Sequence, residues 1–387
     1  MPLRARTLLG PGPSNPYPES TVALGEPLLG HLDPVFLGIL DETSDRLREL
    51  FGTANRRTLP LSATGSAGME AAFVNTVGPG DVVVVAVNGL FGQRMVDVAS
   101  RCGAEVVAVE HEWGQPVDAD RVLSAHRSPK LIAAVHAETS TGVLSDLEPL
   151  AAGKGDALLL ADCVTSLGGH PLRIDEMGID AAFSGTQKCL NCPPGLAPFT
   201  AGERALAKLG RREGPGRSWY FDLSLVLGYW HPGDMAGAGA PPGRAYHHTA
   251  PINMIYALRE ALRIVVADEW LPTTWERHRR AHHALRDALA VFGCTRLAPD
   301  GEQLNPLLAV TSPQGIDEAA VRRRLLLEHG IEIAGGLGPL SGRAWRVGVM
   351  GMGARREPQE LLVRALATLL DADPAEPLAA LDEGWRA

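Results

Sequence analysis

The chain has 387 residues, enough for two packed units. Its 36 Lys and Arg against 45 Asp and Glu leave a net charge of −9, and with no basic cluster among aromatics this excludes the charge pattern of a nucleic-acid binder. No apolar run is long enough to span a bilayer, and Met1–Arg6 lacks the apolar stretch of a secretion signal, so the expected setting is cytoplasmic.

In chain order, the first strong signals are short, wholly apolar runs separated by helical patterns. Val82–Val87 follows the turn-forming Pro79-Gly80-Asp81. Glu105–Val109, Leu131–Val135 and Ala157–Ala161 come next. Such runs predict a mostly parallel sheet buried on both faces, an α/β fold. Ala181–Ser184 and Leu196–Thr200 predict two more strands, and Pro198 puts the second at an edge or a strand end. A loop rich in Gly and Pro is expected over 232–243. Helices are predicted from Ile252 to about Asp268 and from Thr274 to about Phe292.

From about residue 266 the pattern becomes a smaller α+β unit, behind a large unit over 16–265 and an N-terminal segment over 1–15. Its expected elements are a strand at Leu307–Val310, a helix over Asp317–His329, a strand at Ala344–Val349 and a helix over Pro358–Leu370. The tail beyond Asp373 is acidic and contains proline, and is expected to be loosely ordered. Five cysteines (Cys102, Cys163, Cys189, Cys192 and Cys294) are odd in number and scattered, which is no disulfide framework. Cys189 and Cys192 form one C-x-x-C without a second pair or suitably spaced histidines, so no metal site is expected. Buried free thiols are the favoured reading and a redox pair is the alternative.

Four polar or aromatic clusters follow successive strands. Gly65 and Ser66 open a helical segment, where free N–H groups suit a phosphate. Phe91, in Asn88–Arg94, follows the second strand and could stack on a ring. The hydroxyls of Thr139, Ser140 and Thr141 follow a later strand, and Asp162 ends the next one. Beyond it, Phe183-Ser184-Gly185-Thr186-Gln187-Lys188 leads a second short strand to a lysine. An acid ending one strand and a lysine after the next is how pyridoxal 5′-phosphate is commonly held, the lysine carrying the cofactor as a Schiff base and the acid protonating its ring. Taken singly, each group has a bland reading: a surface lysine, a loop-starting acid, a helix cap, a core phenylalanine. Their common edge and order favour the functional one.

With these stretches in view, the chain resembles the fold-type I, class V aminotransferases, and within them the alanine–glyoxylate/serine–pyruvate aminotransferase family. Matching stretches run in family order: Leu9–Asn15, Gly65–Glu70, Asn88–Arg94, Glu138–Gly142, Asp162–Gly169, Ser184–Lys188 and Pro193-Pro194-Gly195. Tyr246–Thr249, Ile331–Ile333 with Gly335–Gly338, and Arg346–Gly348 complete the set. The resemblance implies a seven-stranded, mostly parallel sheet between helices and a smaller C-terminal domain. It implies Lys188 as Schiff-base lysine and proton shuttle, Asp162 on the ring nitrogen, and Val164 and Phe91 on the two ring faces. Ser140 would contact cofactor and substrate, and Gly65, Ser66, Ala67 and Gln187 would hold the phosphate. Tyr246 and Thr249 would reach the phosphate of a neighbouring subunit in a homodimer with shared sites. Arg346 would clamp the substrate carboxylate, with Gly12 close by. The implied reaction moves an amino group from alanine or serine to glyoxylate or pyruvate in two alternating half-reactions. Two positions depart from the family pattern: Phe91 stands where relatives commonly have tryptophan, and Ser66 where some have histidine.

Rival readings keep the fold. A desulfurase usually has histidine before the lysine and a mobile cysteine later, whereas this chain has Gln187 and, late on, only Cys294. A lyase, a transaminase for a phosphonate or specialised substrate, and a cofactor-binding protein without turnover complete the alternatives.

Overall fold

The computed structural model describes residues 4–210, 216–231 and 244–387, so the loop expected over 232–243 lies outside the described residues. Seven strands form the central sheet: β1 (Arg57–Leu61), β2 (Val82–Val87), β3 (Glu105–Glu110), β4 (Leu131–Val135), β5 (Leu158–Asp162), β6 (Ala181–Phe183) and β7 (Ala197–Ala201). Their order is β1-β7-β6-β5-β4-β2-β3. Pairs from β6 to β3 are parallel, and β7 runs antiparallel to both neighbours. The mostly parallel sheet read from the apolar runs is observed, with the seven strands that the resemblance implied. β4, β5 and β6 are buried at every position, because helices cover both faces.

Of the two expectations for Pro198, an edge or a strand end, the second holds: it is the second residue of β7, which lies between β1 and β6. Its partner in register is Pro60 on the edge strand, and Ser184 N–H donates to the Pro198 carbonyl at 2.7 Å where β6 ends. The two prolines face each other where neither needs to donate, so the ladder loses little.

Helix α1 (Pro34–Phe51) starts at Asp33, whose carboxylate accepts from Val35 N–H, and stops at Gly52 in the left-handed conformation. α2 (Gly65–Thr76) follows β1 and α3 (Leu90–Arg101) follows β2, both rising from the carboxyl edge of the sheet. α4 (Ile252–Leu262) continues through a widened turn over Arg263–Asp268, as the predicted helix does, and α5 (Leu271–Val291) begins after Trp270 at φ 60°.

A second apolar core gathers around α5 and a three-stranded antiparallel sheet. Its strands are β8 (Leu307–Thr311), β9 (Ala334–Gly335) and β10 (Ala344–Gly348), with β10 central. The predicted 317–329 helix is α6 (Glu318–Arg324) extended by a widened turn to His329. The N-terminus joins this unit, since Thr7–Leu8 pairs in parallel with Ile331–Glu332 and Leu9 lies in the second core. α7 (Arg356–Leu369) and α8 (Ala375–Arg386) close the chain. The tail is thus a packed helix and not the loose segment expected. Its charges face outward while Leu381 is fully buried. Gly384 lets α8 approach so closely that a Cβ there would lie 2.4 Å from the Ala284 Cα of α5.

Candidate active site

Lys188 and Asp162 meet at the carboxyl edge of the sheet, on the wall of one cavity of about 210 Å³. Asp162 is the last residue of β5, buried, with Oδ1 accepting from Val164 N–H at 2.9 Å. Burial pushes its carboxyl up to about 7. Lys188 follows β6, also buried, and its Nζ donates to the Pro11 carbonyl. Burial pulls its ammonium down to about 8. A lysine near neutrality beside a carboxylate that lacks a full cationic partner suits a ligand bringing both an electrophile and a positive charge.

The N-terminal segment packs directly on the lysine. Ser14 N–H donates to the Gln187 carbonyl at 2.8 Å, and Ser14 Oγ to the Lys188 carbonyl at 2.7 Å. Gly12, at φ 107°, touches the lysine side chain so closely that a Cβ there would sit 2.6 Å from its Cδ. Only glycine satisfies both conditions.

Another part of the wall suits an anion. Gly65 and Ser66 line it in the first turn of α2, whose N-cap Thr64 supplies no side-chain hydrogen bond. Ala67 does not line it, and its N–H is used on the Thr64 carbonyl at 2.9 Å. Gln187 lines the wall with a buried Oε1 that has no hydrogen-bond partner among the described residues. Phe91 and Val164 line two further walls. The residues therefore fit pyridoxal 5′-phosphate: an amine for its aldehyde, a carboxylate for its ring nitrogen, apolar groups for its ring and an uncapped helix start for its phosphate.

Ser140 is not on the cavity wall; Thr139 is. The Ser140 hydroxyl donates to Glu138 Oε1 at 2.7 Å and accepts from Leu90 N–H at 3.1 Å. Glu138 had no assigned role in the sequence, yet it is the hub here. Fully buried, it accepts from Ser140 N–H and Phe91 N–H, both at 3.0 Å, and so fixes the start of α3. Burial raises its carboxyl, with the Ser140 hydrogen bond opposing. Its signal in the sequence was an acid inside an otherwise neutral post-strand loop.

Arg346, central in β10, is buried and also off the wall. Its Nε donates to the Gly335 carbonyl at 2.8 Å and Nη1 to the Thr139 carbonyl at 3.2 Å, which aims the guanidinium across the gap between the two cores. Tyr246 and Thr249 bond to each other at 3.2 Å and lie outside this cavity, with Tyr246 57 % exposed. The five thiols are buried and free; burial pushes Cys189 and Cys192 up to about 12, which does not suit a redox pair. Among the described residues no cluster could hold a metal, and no helix is long and apolar enough to cross a membrane.

Comparison with known proteins adds the family. The sequence profile of aminotransferase class V matches residues 29–341. The alanine–glyoxylate aminotransferase of Callithrix jacchus is 37 % identical over 383 residues, spanning 96 % of this chain and 89 % of that protein. Among solved structures, the alanine–glyoxylate aminotransferase of a Nostoc species superposes with a TM-score of 0.90 at 44 % identity, covering 96 % of each chain. The ureidoglycine–glyoxylate aminotransferase of Bacillus subtilis superposes at 0.94 with 37 % identity, covering all of both. With the lysine, the acid and the sheet that carries them, these likenesses settle the family: the chain belongs to the class V aminotransferases and is a fold-type I transaminase, from a family whose enzymes work with pyridoxal 5′-phosphate.

Proposed function

We propose that this transaminase uses pyridoxal 5′-phosphate to move an amino group from alanine or serine to glyoxylate or pyruvate, in two half-reactions that alternate at one site. The observation that carries the reading is that Lys188 and Asp162 line one small cavity, with Arg346 bonded to the carbonyl of Thr139 on its wall. When bound, the cofactor supplies the electron sink that makes the substrate Cα–H acidic.

The chain's residues supply the rest. Lys188 Nζ, with its ammonium pulled down to about 8, is available as a neutral amine that would hold the cofactor and then carry a proton between the substrate Cα and the cofactor's carbonyl carbon. The buried Asp162 carboxylate would keep the ring nitrogen protonated, and the cation so placed beside it would offset the cost of its burial. Val164 and Phe91 would pack against the ring and exclude water. Gly65, Ser66 and Gln187 take the phosphate, Thr139 faces the cofactor where Ser140 supports from behind, and Arg346 orients the substrate carboxylate by a planar two-point contact.

The protein is proposed to act as a homodimer in which Tyr246 and Thr249 complete the neighbour's phosphate site. Their position outside their own cavity supports this, as do the exposed apolar residues Val22, Leu28, Leu32 and Val35.

A second reading takes ureidoglycine as donor, and the end-to-end likeness to the Bacillus subtilis enzyme favours it. One donor panel with glyoxylate as acceptor, read as glycine and 2-oxo acid formed, separates the two. Turnover with alanine or serine and none with ureidoglycine supports the first. The reverse pattern supports the second, and no transfer from any donor contradicts both.

A further inference from the structure

Arg94 sits at the phosphate end of the cavity and none of the roles above uses it. It lines the wall, and with Lys188 it is one of the two cations among the lining residues. Its Nη1 donates to Ser66 Oγ at 3.3 Å, in the first turn of α2. Its guanidinium carbon stands 4.9 Å over the centre of the Phe91 ring, three residues earlier on α3. Among the described residues no carboxylate pairs with it. One of its five N–H donors is thereby engaged and the others are left for an anion.

A phosphate group at neutral pH carries close to two negative charges. Helix N–H groups and hydroxyls offer only partial charges. Lys188 is committed to the cofactor's carbonyl end and cannot also balance the phosphate. Ser66 itself is neutral, at a position where some relatives carry histidine. The charge must come from elsewhere on the wall, and Arg94 is the group whose reach is fixed there, by Ser66 on one side and the Phe91 ring on the other.

We propose that Arg94 is the cation that binds the cofactor phosphate from within the same subunit, with Ser66 and the Phe91 ring positioning it. This rests on the reading of the cavity as a pyridoxal-phosphate site. The same guanidinium thus links the two departures, lying over the Phe91 ring and donating to the Ser66 hydroxyl.

The test compares two probes differing only in the phosphate. Pyridoxal 5′-phosphate and pyridoxal are titrated into full-length, cofactor-stripped wild type, Arg94→Gln and Arg94→Lys, and binding is read from the visible absorbance of the lysine-bound form. Arg94→Gln should weaken pyridoxal 5′-phosphate about tenfold or more, as expected for losing a charge-assisted contact, and leave pyridoxal within about twofold. Arg94→Lys should fall between, keeping charge without the planar fork. Inorganic phosphate should raise the melting temperature of stripped wild type and not of Arg94→Gln. Equal weakening of both probes, or none, overturns the proposal, because a merely structural arginine would not sense the phosphate. If Arg94→Gln does not fold, Arg94→Lys and the phosphate effect on wild type decide by the same criteria. A wild type that binds neither probe at Lys188 overturns the cofactor reading, and this proposal with it.

Discussion

A lysine amine buried beside a carboxylate titrates unlike either group in water, and that difference is measurable. Burial disfavours the Lys188 cation, so its proton leaves near pH 8, whereas an ordinary lysine holds its proton to about 10.5. Only the neutral amine attacks a carbonyl. In the cofactor-stripped chain the rate of pyridoxal-phosphate capture, followed by stopped-flow absorbance, should climb with pH and level off just above 8. A rate still climbing at pH 10 would show an unperturbed lysine. Asp162 shifts the opposite way, from 3.8 to about 7. A carboxyl raised on folding stabilises the fold below its unfolded value, and that contribution is lost as pH rises through the folded value. The contribution of Asp162 is therefore lost between about pH 4 and 7, against the opposite trend of the buried His136, His278 and His282, so in thermal melts wild type should lose ground to Asp162→Asn over that range.

At this scale the sequence was legible where chemistry is carried by residue type and strand-end position. Lys188, Asp162, Gly65 and Phe91 were singled out that way and Gln187 through the resemblance, and all line the cavity. Which of two neighbours faces inward was not legible. Thr139 and Ser140 are adjacent hydroxyls, and the backbone alone decides that the first lines the wall and the second bonds Glu138. Glu138 and Arg94 were hidden for the same reason: their parts depend on which side chains lie opposite.

Among the elements, continuous apolar runs announced β2, β4 and β5 because a strand buried on both faces needs no polar side. For β7 the proline left an edge and a strand end both open, because the facing Pro60 that makes Pro198 tolerable near the start of an interior strand is far away in sequence. The tail was misread because acidic composition was weighed over the helical spacing of Leu378, Leu381 and Trp385. These three join the second core, Leu381 fully and the others in part. Gly384 is the contact that sets the docking of α8. Gly384→Val would push a side chain into the backbone of α5, and should cost about 1–3 kcal/mol in denaturant unfolding. Activity should fall only as the folded fraction falls. A change under about 0.5 kcal/mol would show that α8 moves aside freely.

For the whole molecule, the expected consequence of shared sites is complementation between defective chains. Lys188→Ala lacks the amine, and a Tyr246→Ala/Thr249→Ala double variant lacks the groups proposed to serve the neighbour. In a mixed dimer one of the two sites has every group intact. Mixing the two inactive proteins under exchange conditions should restore activity, up to about one quarter of wild type when random pairing makes half the dimers mixed. Full activity of the double variant alone, or no recovery on mixing, would show that each site is built from one chain. The structure of the single chain shows Tyr246, Val22 and Val35 exposed, and the sequence did not show what they meet.

The account stands most directly on where the cofactor is attached. Borohydride should fix pyridoxal phosphate to the purified protein, and peptide mass mapping should find the added mass on Lys188, with none on the protein after Lys188→Ala. A label on another lysine, or one that survives Lys188→Ala, would contradict the account.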